Sequence, residues 1–279
     1  MERRARILKA GRFAGERMRP GFGELEAFYA SRQGQLARRL IAHQLRHLWP
    51  DLRGRSVLGL GYASPFLGAL EDAERAVAFL PAENGAKPAA GDHAAGRAAL
   101  VREDDLPLAD GSVDRALLVH ALECADDPGR LLREVWRVLA DGGRLVAVVP
   151  NRRGLWALSD RTPFGHGQPY SSGQLARRLT GQLFEPGAER GALYLPPTGS
   201  RFLLRLAVPA ERLGLSLAPR LGGVVLFEAE KRIYVGTPLR VLERQKARRY
   251  VAAVPRNLVA ARKGAVLPSA PPGDLPRAA

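Results

Sequence analysis

The chain has 279 residues, 46% of them hydrophobic, and carries 43 Lys and Arg against 28 Asp and Glu, a formal charge of +15. That suits one domain of ordinary size with extensions, and a single cysteine, Cys124, excludes an internal disulfide or a multi-cysteine zinc site. No apolar run approaches the roughly 20 residues of a membrane helix, and Met1 to Pro20 lacks the apolar core of a signal segment, so a cytoplasmic location is expected.

The charge is uneven. Met1 to Arg55 holds 13 Lys/Arg against 5 Asp/Glu, Ser56 to Glu230 holds 19 against 21, and Lys231 to Ala279 holds 11 against 2. Basic ends of this kind either follow anionic lipid or nucleic acid by electrostatics or are simply solvated charge in an arginine-rich chain. The expected organisation is a basic helical extension over 1–55, a central domain over 56–235, and a basic disordered tail over 236–279.

In the extension, Leu25, Phe28, Tyr29, Leu36, Leu40, Ile41, Leu45 and Leu48 recur at three- and four-residue steps until Pro50, which predicts one or two helices. Phe28 and Tyr29 either line a pocket or fill the core. His43 and His47, one helical turn apart, read as surface residues, and no metal is expected.

Ser56 to Leu67, SVLGLGYASPFL, reads as a strand buried on both faces that turns on small residues toward a helix. Such a turn lets a ligand approach the backbone at the carboxyl edge of a parallel sheet. Gly59-Leu60-Gly61-Tyr62-Ala63 lacks the third glycine of a dinucleotide fingerprint, and Ser64 lacks the flanking glycines of a hydrolase nucleophile elbow. A second strand follows at Arg75 to Leu80. A ribose-binding carboxylate belongs at its end, where Pro81 and Ala82 stand; Glu83 is the nearest acid. A small-residue loop over Lys87 to Arg97 leads to a third strand at Ala98 to Val101.

Glu103 to Asn151 reads as an acidic loop, a strand (Val113 to Val119), a helix capped at Asp126 or Asp127 with Pro128 in its first turn, a Gly142-Gly143 stop, and a strand (Arg144 to Val149). Leu131, Leu132, Val135, Trp136, Val138 and Leu139 make the helix's buried face, and Arg130, Arg133, Glu134 and Arg137 its wet one. Asn151 to Gln174 is a long structured loop, either a lid or a packed surface loop, before a helix capped by Ser171. An edge strand (Phe184 to Leu195), a helix (Ser200 to Leu213) and a last strand (Gly223 to Tyr234) complete the domain.

Leu106-Pro107-Leu108, Val113-Asp114, Asp127-Pro128 and Arg137-Val138-Leu139-Ala140-Asp141-Gly142-Gly143-Arg144-Leu145 together resemble the class I S-adenosylmethionine-dependent methyltransferases of the type 11 group. The resemblance implies a Rossmann-like α/β fold, a mostly parallel seven-stranded sheet with helices on both faces. It also implies methyl transfer to a small-molecule or lipid-like acceptor. S-adenosylmethionine would lie across Gly59, Gly61, Tyr62 and Ala63, with Glu83 at the ribose and Glu103, Asp104 and Asp105 near the adenine.

There are departures. Related enzymes usually have Asp at the place of Gly59, a third Gly at Ala63, an acid at Pro81 and Asp at Arg102. These leave open a non-catalytic module whose basic ends contact nucleic acid or membrane. For a catalytic chain, His120, directly after the fourth strand, is the expected base, followed by His166 and Tyr170 in the loop.

Overall fold

Apolar runs such as Val57-Leu58 and Leu117-Leu118-Val119 have no polar alternation, and they become the central strands of a sheet buried on both faces. The computed structural model describes residues 20–81 and 98–232. Its strands are β1 (Ser56–Gly61), β2 (Arg75–Pro81), β3 (Ala98–Val101), β4 (Val113–Val119), β5 (Leu139–Pro150), β6 (Phe184–Ala192) and β7 (Val224–Lys231). They form one seven-stranded sheet in the order β3-β2-β1-β4-β5-β7-β6. The first five strands run parallel, and β7 is antiparallel to both β5 and β6.

Helices α1 (Phe22–Ala30) and α2 (Arg32–Leu48) cover one face. Ser31 separates them, and its hydroxyl accepts the Gly34 N–H at 3.1 Å as the cap of α2. Ile41 and Leu45 of α2 lie fully buried against this face, and Trp49, just past its end, donates its indole N–H to Glu228 at 3.0 Å. A four-residue α3 (Ser64–Leu67) follows β1.

On the other face lie α4 (Pro128–Val138) and α5 (Ser172–Thr180), both with caps of the expected kind. Asp127 accepts the N–H groups of Gly129 and Arg130 at 2.9 and 3.1 Å, and Ser171 forms a capping box with Gln174.

The structure corrects four local expectations. Helix α4 ends at Val138, and Gly142-Gly143 sits inside β5, where the register with β4 shifts. Of the wet face of α4, Arg137 is tied down: it donates to the carbonyls of Leu106 and Leu108 at 2.9 and 2.8 Å and to Asp110 at 2.7 Å. Trp136 is only half-buried, with the Lys231 ammonium 4.2 Å from its ring centre. The helix expected over Ser200 to Leu213 is two, α6 (Arg201–Arg205) and α7 (Ala207–Leu217). Pro209 has no N–H for the Arg205 carbonyl, so a continuous helix fails there.

The register fixes what meets at the sheet's carboxyl edge. Gly61 pairs with Val119, so the turn after β1 and the residue after β4 are neighbours. Among the described residues no helix is long and apolar enough to cross a membrane. Of the two basic ends, residues 20–55 are described and carry α1 and α2, whereas 1–19 and 233–279, with the expected tail over 236–279, lie outside the described residues.

Candidate active site

At the end of β4 the backbone of His120 turns into the left-handed region, φ 51°, and aims the imidazole into a sealed space. The Nε2 atom is 2.9 Å from the Tyr29 hydroxyl of α1, and Nδ1 is 3.1 Å from Glu123 Oε1. Neither the His120 nor the Glu123 side chain has any exposure. A carboxylate only accepts, so Nδ1 carries the imidazole proton and Nε2 receives the Tyr29 O–H. Burial, reinforced by Glu123, holds the Tyr29 pKa well above that of a free phenol. Tyr29 is therefore a neutral donor, and its O–H occupies the basic lone pair of His120.

An aromatic shell seals this relay. Phe164 lies 4.8 Å from the His120 ring, Tyr62 stacks on Tyr29 at 5.3 Å, and Phe22 meets the Tyr62 ring edge-on at 5.2 Å. Phe164 comes from the long loop, which is ordered by 3-10 turns at Leu155–Leu158 and Pro163–Gly165. The loop docks on the segment after β4, where Gln168 N–H donates to the Glu123 carbonyl at 2.9 Å.

The glycine turn serves the fold first. Gly61 has φ 76°, and a Cβ there would run into the Val119 carbonyl oxygen. A Cβ at Gly59 would lie 2.7 Å from the Ala63 methyl, which is itself fully buried. The Ala63 methyl thus fills the space that a side chain at Gly59 would need. The Tyr62 N–H is also engaged, donating to Val119 O at 2.7 Å.

Over the turn, Phe22, Leu25, Gly61, Tyr62, Pro81 and His120 border a cleft whose free space is only about 10 Å3, room for a single water-sized body. That is far below the usual range of about 300–1,000 Å3 for ligand pockets. It lies at the junction of β1, β2 and β4, where open α/β sheets hold ligands. The methionyl end of S-adenosylmethionine would fit here only with Phe22 and Leu25 of α1 drawn back from the turn, and the adenosyl end would extend past Pro81. Glu83, the ribose candidate, lies outside the described residues.

The remaining candidates are more scattered. Asp104 is held by Arg102 at 3.1 and 3.3 Å, and this pairing lowers its pKa; Arg102 and Asp105 form an isolated bridge, and Glu103 is half-buried between them. The Tyr170 hydroxyl points at the Leu122 carbonyl, 3.5 Å away, and its ring packs in the core on the α4 side, across the sheet from His120. His166 is half-exposed, and the loop residue touching His120 is Phe164. Sequence reading missed Glu123 and Phe164. Glu123 had a signal, an acid three residues after the candidate base.

The strand order and the carboxyl-edge site define a Rossmann-like methyltransferase fold. Residues 58–147 match the family model described as a methyltransferase domain. A solved S-adenosylmethionine-dependent methyltransferase of Thermotoga maritima is 18% identical, with TM-score 0.54 over 75% of this chain and 96% of that one. The solved [4+2]-cyclase SpnF is 21% identical, with TM-score 0.50 over 72% of this chain and 82% of its own. The uncharacterised protein YafS of Escherichia coli K12 is 61% identical over 41 residues, a stretch spanning 15% of this chain and 17% of that protein.

Proposed function

We propose that the chain transfers a methyl group from S-adenosylmethionine to a small-molecule or lipid-like acceptor bearing an ionisable O–H or N–H. The observation that carries this is the buried Glu123–His120–Tyr29 chain at the end of β4. When bound, the cofactor supplies an electrophilic methyl on a sulfonium, so the protein's work is orientation and proton management.

The Tyr29 hydroxyl marks the place where an acceptor O–H would meet Nε2. His120 takes the acceptor's proton there, and Glu123, already bonded to Nδ1, holds the tautomer and stabilises the imidazolium. Phe164, Tyr62 and Phe22 keep water out. Gly61, Tyr62, Pro81 and His120 border the methionyl end. Glu83 is proposed for the ribose and Glu103, Asp104 and Asp105 for the adenine side.

One observation favours a second reading, a methyltransferase-like module without catalysis: Phe22, Leu25 and Tyr29 of α1 crowd the turn, and no acid ends β2. Calorimetric titration with S-adenosylhomocysteine separates the two. Heat and a raised melting temperature support the first; neither effect would replace it with the second.

A further inference from the structure

Between β6 and β7 the chain leaves the sheet through α6 and α7 and ends in a 3-10 turn, Pro219–Leu221. The inward side of this excursion is narrow. Ala207 and Glu211, one helical turn apart, are buried, and Leu204 shares a small apolar hollow of about 10 Å3 with Leu36, Leu40 and Trp156. Glu211 is engaged, accepting the N–H groups of Leu193 and Tyr194 at 3.0 and 3.1 Å.

The outward side is apolar and cationic. Phe202 is 70% exposed, Leu213 61% and Leu217 79%, and four further large apolar side chains in the stretch 201–221, Leu206 among them, are more than 40% exposed. A soluble surface carries such side chains singly; here they are contiguous in chain. Glu211, the one acid of the stretch, faces inward, so the exposed charges are Arg201, Arg205, Arg212 and Arg220. None of the four forms an ion pair among the described residues.

We propose that α6, α7 and the Pro219–Leu221 turn are a docking surface for an anionic phospholipid bilayer. A lipid interface satisfies both halves of the patch at once. Arginine stems lie along the headgroups with their guanidinium groups on phosphate, and Phe202, Leu213 and Leu217 enter the acyl boundary. A second copy of the chain would set four arginines against four arginines with no exposed acid between them. Nucleic acid would meet the arginines but leave the apolar side chains in water. The adjoining loop points the same way: Trp156 donates to the Leu195 carbonyl at 2.7 Å, and its neighbours Leu155 and Leu158 are exposed. The surface does not depend on the proposed reaction, since lipid binding is measured without cofactor.

The test is flotation of the full chain with vesicles of phosphatidylcholine, with and without phosphatidylglycerol. The variants are Phe202→Ser/Leu206→Ser/Leu213→Ser/Leu217→Ser and Arg201→Gln/Arg205→Gln/Arg212→Gln/Arg220→Gln. The wild type should float only with the anionic vesicles. Each variant should bind about tenfold or more weakly, with an unchanged melting temperature because the altered side chains are exposed. Both variants keep the basic ends, so undiminished flotation would assign binding to those ends and overturn the proposal. Absence of wild-type flotation, or equal binding to neutral vesicles, also overturns it. So does a lipid-free dimer in sedimentation that the serine variant converts to monomer, because the occupant is then a second copy.

Discussion

The two faces of the sheet are built from alternate residues of the same strands, yet they are filled differently. Under α4 and α5 the core is largely aliphatic, with Leu58, Leu118, Leu131, Leu132 and Val135 at its centre. Under α1, α2 and the long loop, Tyr29, Tyr62, Phe66, Trp156 and Phe164 surround the ionisable pair His120 and Glu123. An aliphatic core needs only volume and packing. A core holding charge and hydroxyl groups needs a specific partner for each polar atom, because an unpaired one costs about 1–3 kcal/mol. The partners come from far along the chain: Tyr29 reaches His120 across 91 residues and Trp49 reaches Glu228 across 179. The first face stabilises, and the second is where the proposed reaction would be run.

The largest expected effect tests that division at His120. Because its φ is 51°, Asn, which tolerates left-handed backbone, is a gentler replacement than Ala. His120→Asn should lower turnover about 10²–10⁴-fold while leaving cofactor affinity nearly unchanged. Wild-type turnover in the variant would remove His120 from the chemistry. Across the sheet, Leu132→Ala should do the opposite. Leu132 is fully buried, so denaturant titration should show a loss of about 2–5 kcal/mol, with turnover per folded molecule preserved. If turnover fell with it, the two faces would not be separable.

Gly61 sharpens the comparison from the seam between the faces. Left-handed strain alone makes Gly61→Ala cost about 1–2 kcal/mol, before the contact with the Val119 carbonyl is added. The loss should appear in thermal unfolding without any cofactor. Unchanged stability would return Gly61 to a purely ligand-facing role.

The fold was legible because it is written in short-range signals. The β1 apolar run, the Asp127-Pro128 start of α4 and the Ser171 cap each name a structure by themselves, and the motif order from Leu106 to Leu145 names the domain. Less of the site was legible. His120 was placed by its position after a strand, but Glu123 and Phe164 become visible only when a loop and a helix close on that residue. Tyr29 stood open between pocket and core; it packs in the core and bonds the candidate base. Pro209 shows the limit at short range too, since a pattern read as one helix is divided by a missing N–H.

The smallest effect expected is alkaline, and it too falls on the aromatic side. Burial pushes the Tyr194 pKa from 10.0 to about 12, helped by the nearby carboxylates of Glu211 and Glu189, and its hydroxyl donates to the Pro219 carbonyl at 2.8 Å. The neutral phenol is thus favoured in the folded chain relative to the unfolded one. Its stabilisation is fully present below pH 10 and is lost as pH rises from there toward 12, because the unfolded chain releases its proton first. Tyr194 is partly exposed, so solvent screening reduces the effect to about 1 kcal/mol. Denaturant midpoints at about pH 9 and about pH 11 should therefore fall less in Tyr194→Phe than in the wild type. Tyr29, more deeply buried, remains in both proteins and accounts for the residual slope. Equal slopes would mean that the loss above pH 10 arises elsewhere, and that Tyr194 packs without being held neutral.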